Sequence, residues 1–206
     1  MPPPSGEETG EQTALQRHVA YFDRDGSGKI RVGETVRAIH DLGVGWELSI
    51  LLALIIHLFL GPITSRGPRL TIDISSISRG VHAGDTGIFD KEGRFVPAVF
   101  AELWEETLGE DRANAIDASI TKAEFLRFMK AHGEQSAVGG WFSWAEASIL
   151  FCVGSDAYRE VDGKLVPALS RRRLQRFYAG KLLPSIARLR RLPSRQRREE
   201  RNGKKL

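Results

Sequence analysis

Three observations point to a mainly α-helical chain. Apolar residues recur at helical spacing on both sides of a twelve-residue loop rich in Asp and Gly, Asp23 to Glu34. A poorer copy of that loop, 113–124, is again followed by apolar residues at helical spacing. Between the two runs an almost charge-free stretch, Trp46 to Ile63. Together they predict an EF-hand-based helical domain with one intact calcium loop, one degenerate loop and a short apolar, membrane-facing helix.

The 206 residues, 41% of them hydrophobic, suit one large domain or two small ones with a real core. The single cysteine, Cys152, excludes an intramolecular disulfide framework and any multi-cysteine zinc site. It lies in the apolar run Ile149 to Val153, which predicts a buried thiol. The opening residues lack a basic segment followed by an apolar one, so a secretory signal is not expected. The net charge of +4 is uneven: the excess of Lys and Arg lies after Ser170, and the body is neutral to acidic.

Residues 1–12, rich in Pro, Gly and Glu, are expected to be disordered. The EF-hand occupies 13–43. Leu15, Val19 and Phe22 line one face of a helix from Thr13, and Val36, Ile39 and Leu42 line the exit helix, Gly33 to Leu42. In the loop, Asp23, Asp25 and Ser27 offer side-chain oxygens at positions 1, 3 and 5. Lys29 offers its carbonyl at position 7 and Glu34 a bidentate carboxylate at position 12. Gly28 allows the sharp turn at position 6. Arg31 at position 9 has no ligating oxygen in its side chain, so a water fills that slot. Ile30 at position 8 is expected to pack against a partner loop. A solvated Asp/Gly turn is the bland alternative, and seven constraints meeting in twelve residues count against it. Three carboxylates face Arg24, Lys29 and Arg31, which predicts weaker calcium binding than in an all-acidic loop.

The apolar segment spans 46–68. A helix over Trp46–Leu60 that stops before Pro62 is about 22 Å long, short of the roughly 30 Å of a hydrocarbon core. Burial in protein and partial insertion into lipid both fit it. His57, within it, reads as a hydrogen-bonded core histidine. Pro62 and Pro68 mark a turn that folds the chain back. Residues 70–78 read as a short strand, 79–97 as a structured loop dense in Gly and Asp, and Val99 to Leu108 as a helix with Phe100, Leu103 and Trp104 on one face.

In the degenerate EF-hand, 113–130, Asp117, Ile120 and Glu124 keep positions 5, 8 and 12, while Ala113, Ala115 and Ala118 remove two ligands and the turn glycine. Ile120 is expected to pair with Ile30. Residues 139–180 hold C-terminal helices, one running from Trp141 to Val153 and one capped by Ser170, with 156–163 as a loop between them. The segment 181–206 is a basic tail, suited to an anionic membrane surface or to solvent. No base-reading motif accompanies the charge, so nucleic acid is not an expected partner.

Several blocks resemble one family, the caleosins, also called calcium-dependent peroxygenases. Leu15 to Gly28 resembles that family's Leu-Gln-x-His-x-x-Phe-Phe-Asp entry into a single calcium loop. His82 to Phe95 is similar to its His-Gly-Ser-Asp-Ser-Gly-x-Tyr-Asp-x-Glu-Gly-Arg-Phe block, with Gly84 in place of the Ser. Gly140-Trp141 with Glu146 is similar to a third block, with Ala147 where the family has Trp. The resemblance covers about 14–180, which makes 13–180 a caleosin-like domain. It implies haem b held by His18 and His82 as iron ligands, with His57 a weaker alternative, and Ca²⁺ in the loop. It implies cleavage of the O–O bond of a fatty-acid hydroperoxide and oxygen transfer to an unsaturated acyl chain. It further implies a lipid droplet or the cytosolic face of an endoplasmic-reticulum-type membrane. Pro62 and Pro68 keep part of the family's proline knot and no third proline follows, so a soluble fraction is expected as well. Self-association is left open. The alternative function is a non-enzymatic calcium-binding protein of a lipid-droplet or membrane surface, and a third is a calcium sensor gripping a partner helix.

Overall fold

The computed structural model describes residues 12–83, 86–130 and 147–191. The expected disorder of the N-terminus, the Trp141 block and the end of the basic tail fall outside them. The chain is mostly helical with two small antiparallel sheets.

Thr13 caps α1 (Ala14–Ala20) with a reciprocal capping box: its hydroxyl accepts from Gln16 N, and Gln16 Oε1 accepts from Thr13 N. A loop and strand β1 (Lys29–Ile30) lead into α2 (Val32–Asp41), then α3 (Trp46–Ser65). The chain reverses into β2 (Ile72–Asp73), which continues as a 3-10 helix, Ile74–Ala83. β1 and β2 pair antiparallel, with Ile30 opposite Ile72. Val19, Ile30, Ile72, Ile74 and Ile77 form a small core between α1 and the 3-10 helix.

The larger core is aromatic. It gathers α4 (Pro97–Leu108), the one-turn α5 (Glu110–Ala113), α6 (Lys122–Lys130), α7 (residues 147–154), α8 (Arg171–Tyr178) and α9 (Leu182–Arg191) around Phe100, Trp104, Phe125 and Phe128. Pro97 starts α4, where its missing N–H costs nothing. A three-stranded sheet, ordered β3-β5-β4, lies beside it, built from β3 (Ser119–Thr121), β4 (Ala157–Val161) and β5 (Lys164–Ser170).

Five expectations are corrected. Ile120 pairs with Leu169 and not with Ile30, so the two loops do not share a strand ladder. Residues 156–163 are no mere loop: β4 and β5 form a hairpin around Asp162 and Gly163, both at positive φ, the geometry of a two-residue primed turn. The start of the basic tail is the packed helix α9, which buries Leu182, Leu183, Ile186 and Ala187. Cys152 is exposed, because it sits on the outer side of α7 while Phe151 and Val153 turn inward.

The fifth concerns α3. It runs through Pro62 to Ser65, 20 residues or about 30 Å. Pro62 removes one hydrogen bond near the C-terminus, to the carbonyl of exposed Leu58, and the helix resumes with Thr64 Oγ1 donating to Leu60 O. The helix is long and apolar enough to cross a membrane by length and composition. One stripe, Ser49, Leu52, Ala53, His57, Gly61 and Thr64, is buried against the protein. The opposite side shows Trp46, Leu48, Leu51, Leu54 and Leu58 to the outside, Leu58 at 63%.

The returning chain lies against Gly61, where an added Cβ would stand 2.4 Å from Arg69 O. Gly61→Ala therefore forces a backbone apart at a cost of about 2–3 kcal/mol, more than the ~1 kcal/mol of helix propensity that alanine brings. The expected result in a thermal melt is a midpoint lower by roughly 2–8 °C.

Candidate functional site

α1 ends one turn before Asp23, and the loop that follows closes on itself through its own carboxylates. The ligand oxygens of Asp23, Asp25 and Glu34 lie within 4.8 Å of one another. Ser27 N donates to Asp23 Oδ1 (3.1 Å) and Asp25 Oδ1 (3.0 Å), and Gly28 N to Asp23 Oδ2 (2.8 Å). Ser27 Oγ donates to the Lys29 carbonyl at 3.0 Å. Glu34 accepts from Arg24 N and Arg31 N, one on each oxygen. The five predicted oxygen donors thus belong to one hydrogen-bonded loop. Gly26 and Gly28 sit at φ +68° and +75° with open space around them, so backbone conformation and not crowding asks for glycine.

Arg31 is the surprise of the loop. Its guanidinium lies 2.6 Å from Asp25 Oδ2 and 3.9 Å from Glu34 Oε2. Hydrogen bonds from Ser27 and then Arg31 hold the Asp25 carboxyl down at about 2. A cation entering the loop meets a carboxylate already paired with a positive charge.

His18 lies on α1 beside α8. Its ring stands edge-on to Phe177, centroids 4.7 Å apart, with Phe22 at 6.5 Å. Gly180, at φ +71°, brings the end of α8 within van der Waals reach of Ala14 O and His18 N. The residue keeps some solvent exposure, yet dense packing around the imidazole lowers its pKa to about 4, against the opposing effect of a hydrogen bond to the Phe177 backbone. The ring is neutral at pH 7. A neutral imidazole keeps a lone pair on one ring nitrogen. The donor chemistry of His18 therefore fits a ligand for haem iron.

His82 lies near the end of the 3-10 helix, and its side chain is outside the described residues. The backbone places its segment against α1 through Val19, Ile74 and Ile77. The same segment is tied to the acidic loop, since Ile74 N donates to Gly28 O at 3.1 Å. His57 is fully buried with both ring nitrogens engaged: Nδ1 donates to Leu70 O, and Nε2 accepts from Thr35 Oγ1 at 2.7 Å. It is a core histidine with no lone pair to offer, which sets aside the alternative ligand.

Phe177 and the Gly28–Ile74 tie were not legible in the sequence. Phe177 reads there as one apolar position on a basic helix, and nothing local announces a contact with His18.

A family model described as "Caleosin related protein" matches residues 10–187. The chain is 31% identical over 151 residues to "Probable peroxygenase 4" of Arabidopsis thaliana, covering 71% of this chain and 75% of that protein. It is 30% identical over 156 residues to "Peroxygenase" of Lilium longiflorum, covering 73% of this chain and 63% of that one, so less than two thirds of the lily protein is spanned. No solved structure matches. The matched stretch contains the acidic loop, the apolar helix and both histidine-bearing segments, and on these grounds the chain belongs to the caleosin family.

Proposed function

We propose that the chain is a calcium-dependent haem peroxygenase, taking oxygen from fatty-acid hydroperoxides to epoxidise or hydroxylate unsaturated lipids. The observation that carries the reading is His18: a neutral imidazole, packed edge-on against Phe177, on a helix that runs into the acidic loop and packs on the segment bearing His82. The family match and the relatives' printed names support the same reaction class.

In this reading His18 and His82 hold the haem. Bound there, the group supplies cleavage of the peroxide O–O bond and transfer of one oxygen atom. The protein's part is to keep His18 unprotonated, to hold its ring against Phe177, and to hold α1 against the 3-10 helix. Asp23, Asp25, Ser27, the Lys29 carbonyl and Glu34 take Ca²⁺. Calcium ordering the loop stiffens the end of α1 and, through Gly28 O and Ile74 N, the start of the segment that leads to His82. Calcium dependence follows from that double attachment.

The exposed side of α3 supplies the lipid surface. Trp46 stacks on His40 at 4.1 Å and stands half exposed at the helix start, as aromatic residues do at a water–lipid boundary. A lipid droplet or the cytosolic face of an endoplasmic-reticulum-type membrane suits this face, which also brings acyl substrates to the enzyme.

The test is turnover of a fatty-acid hydroperoxide by purified chain with calcium and with chelator. No turnover by haem-loaded, calcium-bound protein leaves the non-enzymatic surface protein as the better reading. Arg31→Gln is expected to tighten calcium binding by roughly 3- to 10-fold, because the ion no longer displaces a guanidinium from Asp25. Isothermal titration calorimetry reads this directly, and an unchanged affinity would show that Arg31 leaves the loop at no cost.

A further inference from the structure

The second, ligand-poor loop ends at Glu124, the position a calcium loop gives to its bidentate carboxylate. Glu124 is only 7% exposed. Its Oε2 accepts from Thr121 N at 2.8 Å, and in the first loop Glu34 Oε2 accepts from Arg31 N at 2.9 Å. The two carboxylates are therefore held in the same way against the helix that follows. What differs is the positive charge. Arg112 Nη2 lies 2.9 Å from Glu124 Oε1, and Arg159 Nη1 lies 3.0 Å from both oxygens. Arg112 comes from α5 just ahead of the loop, and Arg159 from β4, 35 residues onward.

We propose that Arg112 and Arg159 are an internal cation for this loop, two guanidiniums taking the charge position of a metal ion so that Glu124 clamps β4 to α6 with no calcium. The arginines are positioning residues. The contrast with the first loop supports this. There the Arg31 side chain is 63% exposed, pairs with exposed Asp25 at 2.6 Å and stands 3.9 Å from Glu34; here the Arg112 and Arg159 side chains are 45% and 26% exposed and Arg159 spans both oxygens of a buried carboxylate. Ala113 and Ala115 leave no competing oxygens at the first two ligand positions.

The clamp has consequences beyond the loop. β4 pairs with β5 from Ala157 to Val161. The Asp156 carboxylate accepts from Ser170 N and Oγ (2.9 and 2.8 Å), and Ser170 in turn caps α8. α8 carries Phe177, the backing of the His18 ring. Two loops thus flank the histidine, the first read as calcium-dependent and the second closed by the chain's own charge.

Burial works to raise the Glu124 pKa, but hydrogen bonds from Thr121, Arg112 and Arg159 outweigh it and hold it at about 2. The charged groups bonded to it are Arg112 of α5 and Arg159 of β4; Lys122, on its own helix, donates to Ser148 instead. A folded-state pKa below the ordinary carboxylate value of 4.5 means that the stabilisation is complete above that pH and fades as pH falls toward 2.

The experiment compares thermal unfolding of the full chain and Arg159→Met, each with calcium and with chelator, and follows Glu124 by carboxyl ¹³C NMR. The expected results are a midpoint about 5–10 °C lower in the variant at pH 7, the same drop in calcium and in chelator, and a Glu124 titration moved up from about 2 toward 4.5. Arg159→Lys recovers part of both. Should Arg159→Met fail to fold, Arg112→Met carries the same expectations. An unchanged midpoint and titration would overturn the proposal, and so would recovery of the variant by calcium, which would place a metal ion in the second loop.

Discussion

His18→Val is expected to lower haem affinity at least about 100-fold, since losing a mere outer-shell partner of a metal ligand already costs 10- to 100-fold. Hydroperoxide turnover falls with it. The variant keeps its fold: the Thr13 and Gln16 capping box that starts α1 is untouched, and valine fills apolar space beside Phe177 and Phe22. Measured on haem-free protein, its calcium titration stays that of the haem-free wild type, because every donor of the acidic loop lies beyond the residue. The pairing of these two results separates a ligand from a folding residue. Haem content equal to wild type would remove His18 from the site. It would not hand the role to His57, whose nitrogens are both engaged by Thr35 and Leu70.

Glu34→Gln is the converse variant. Glutamine retains a carbonyl oxygen for one of the two backbone donors, Arg24 N or Arg31 N, so α2 still starts correctly. It cannot offer a charged bidentate ligand, and calcium affinity is expected to fall by about 100-fold, or about 2.7 kcal/mol. A ligand at 100 times its Kd stabilises the folded chain by about 2.7 kcal/mol, which raises the midpoint of a chain of this size by roughly 5–10 °C. That calcium-induced rise is expected in the wild type and falls to roughly 1–2 °C in Glu34→Gln at the same calcium concentration. Differential scanning calorimetry with calcium and with chelator reads both. An equal rise in the two proteins would show that Glu34 is not a ligand.

Local signals made much of this fold legible. Thr13 at the start of α1 and Ser170 as a cap each act within one helical turn, so the sequence carries them openly, whereas α4 starts at Pro97, two residues before the expected Val99. The acidic loop is legible for the same reason, because its five donors lie within twelve consecutive residues. The misreadings are long-range. A two-residue strand such as Lys29–Ile30 fits any open edge, and its choice of Ile72 over Ile120 depends on where α3 turns the chain. The β4–β5 hairpin carried a turn signal in Asp162-Gly163, but Tyr158, Val161 and Leu165 are all exposed, so the alternation that marks a half-buried strand was lost. α9 was hidden by its charge, although Leu182, Leu183 and Ile186 recur on one face. Gly61-Pro62 predicts a stop because proline lacks an N–H and restricts the residue before it, but a single lost bond within the last turn does not end α3, which runs on to Ser65. At the site, the acidic loop and His18 are named by sequence and resemblance, whereas Phe177 behind the ring and the Arg159 guanidinium on Glu124 arrive from 35 residues away or more.

In the proposed function calcium and haem meet in one unit built from α1, the acidic loop and the 3-10 helix. The most direct measurement is the visible absorption spectrum of the full chain, expressed with a haem precursor and recorded with calcium and then with chelator. The expected spectrum shows a Soret band in calcium, diminished by chelator and absent in His18→Val. A chain that shows no Soret band in either condition, while still binding calcium, would contradict it.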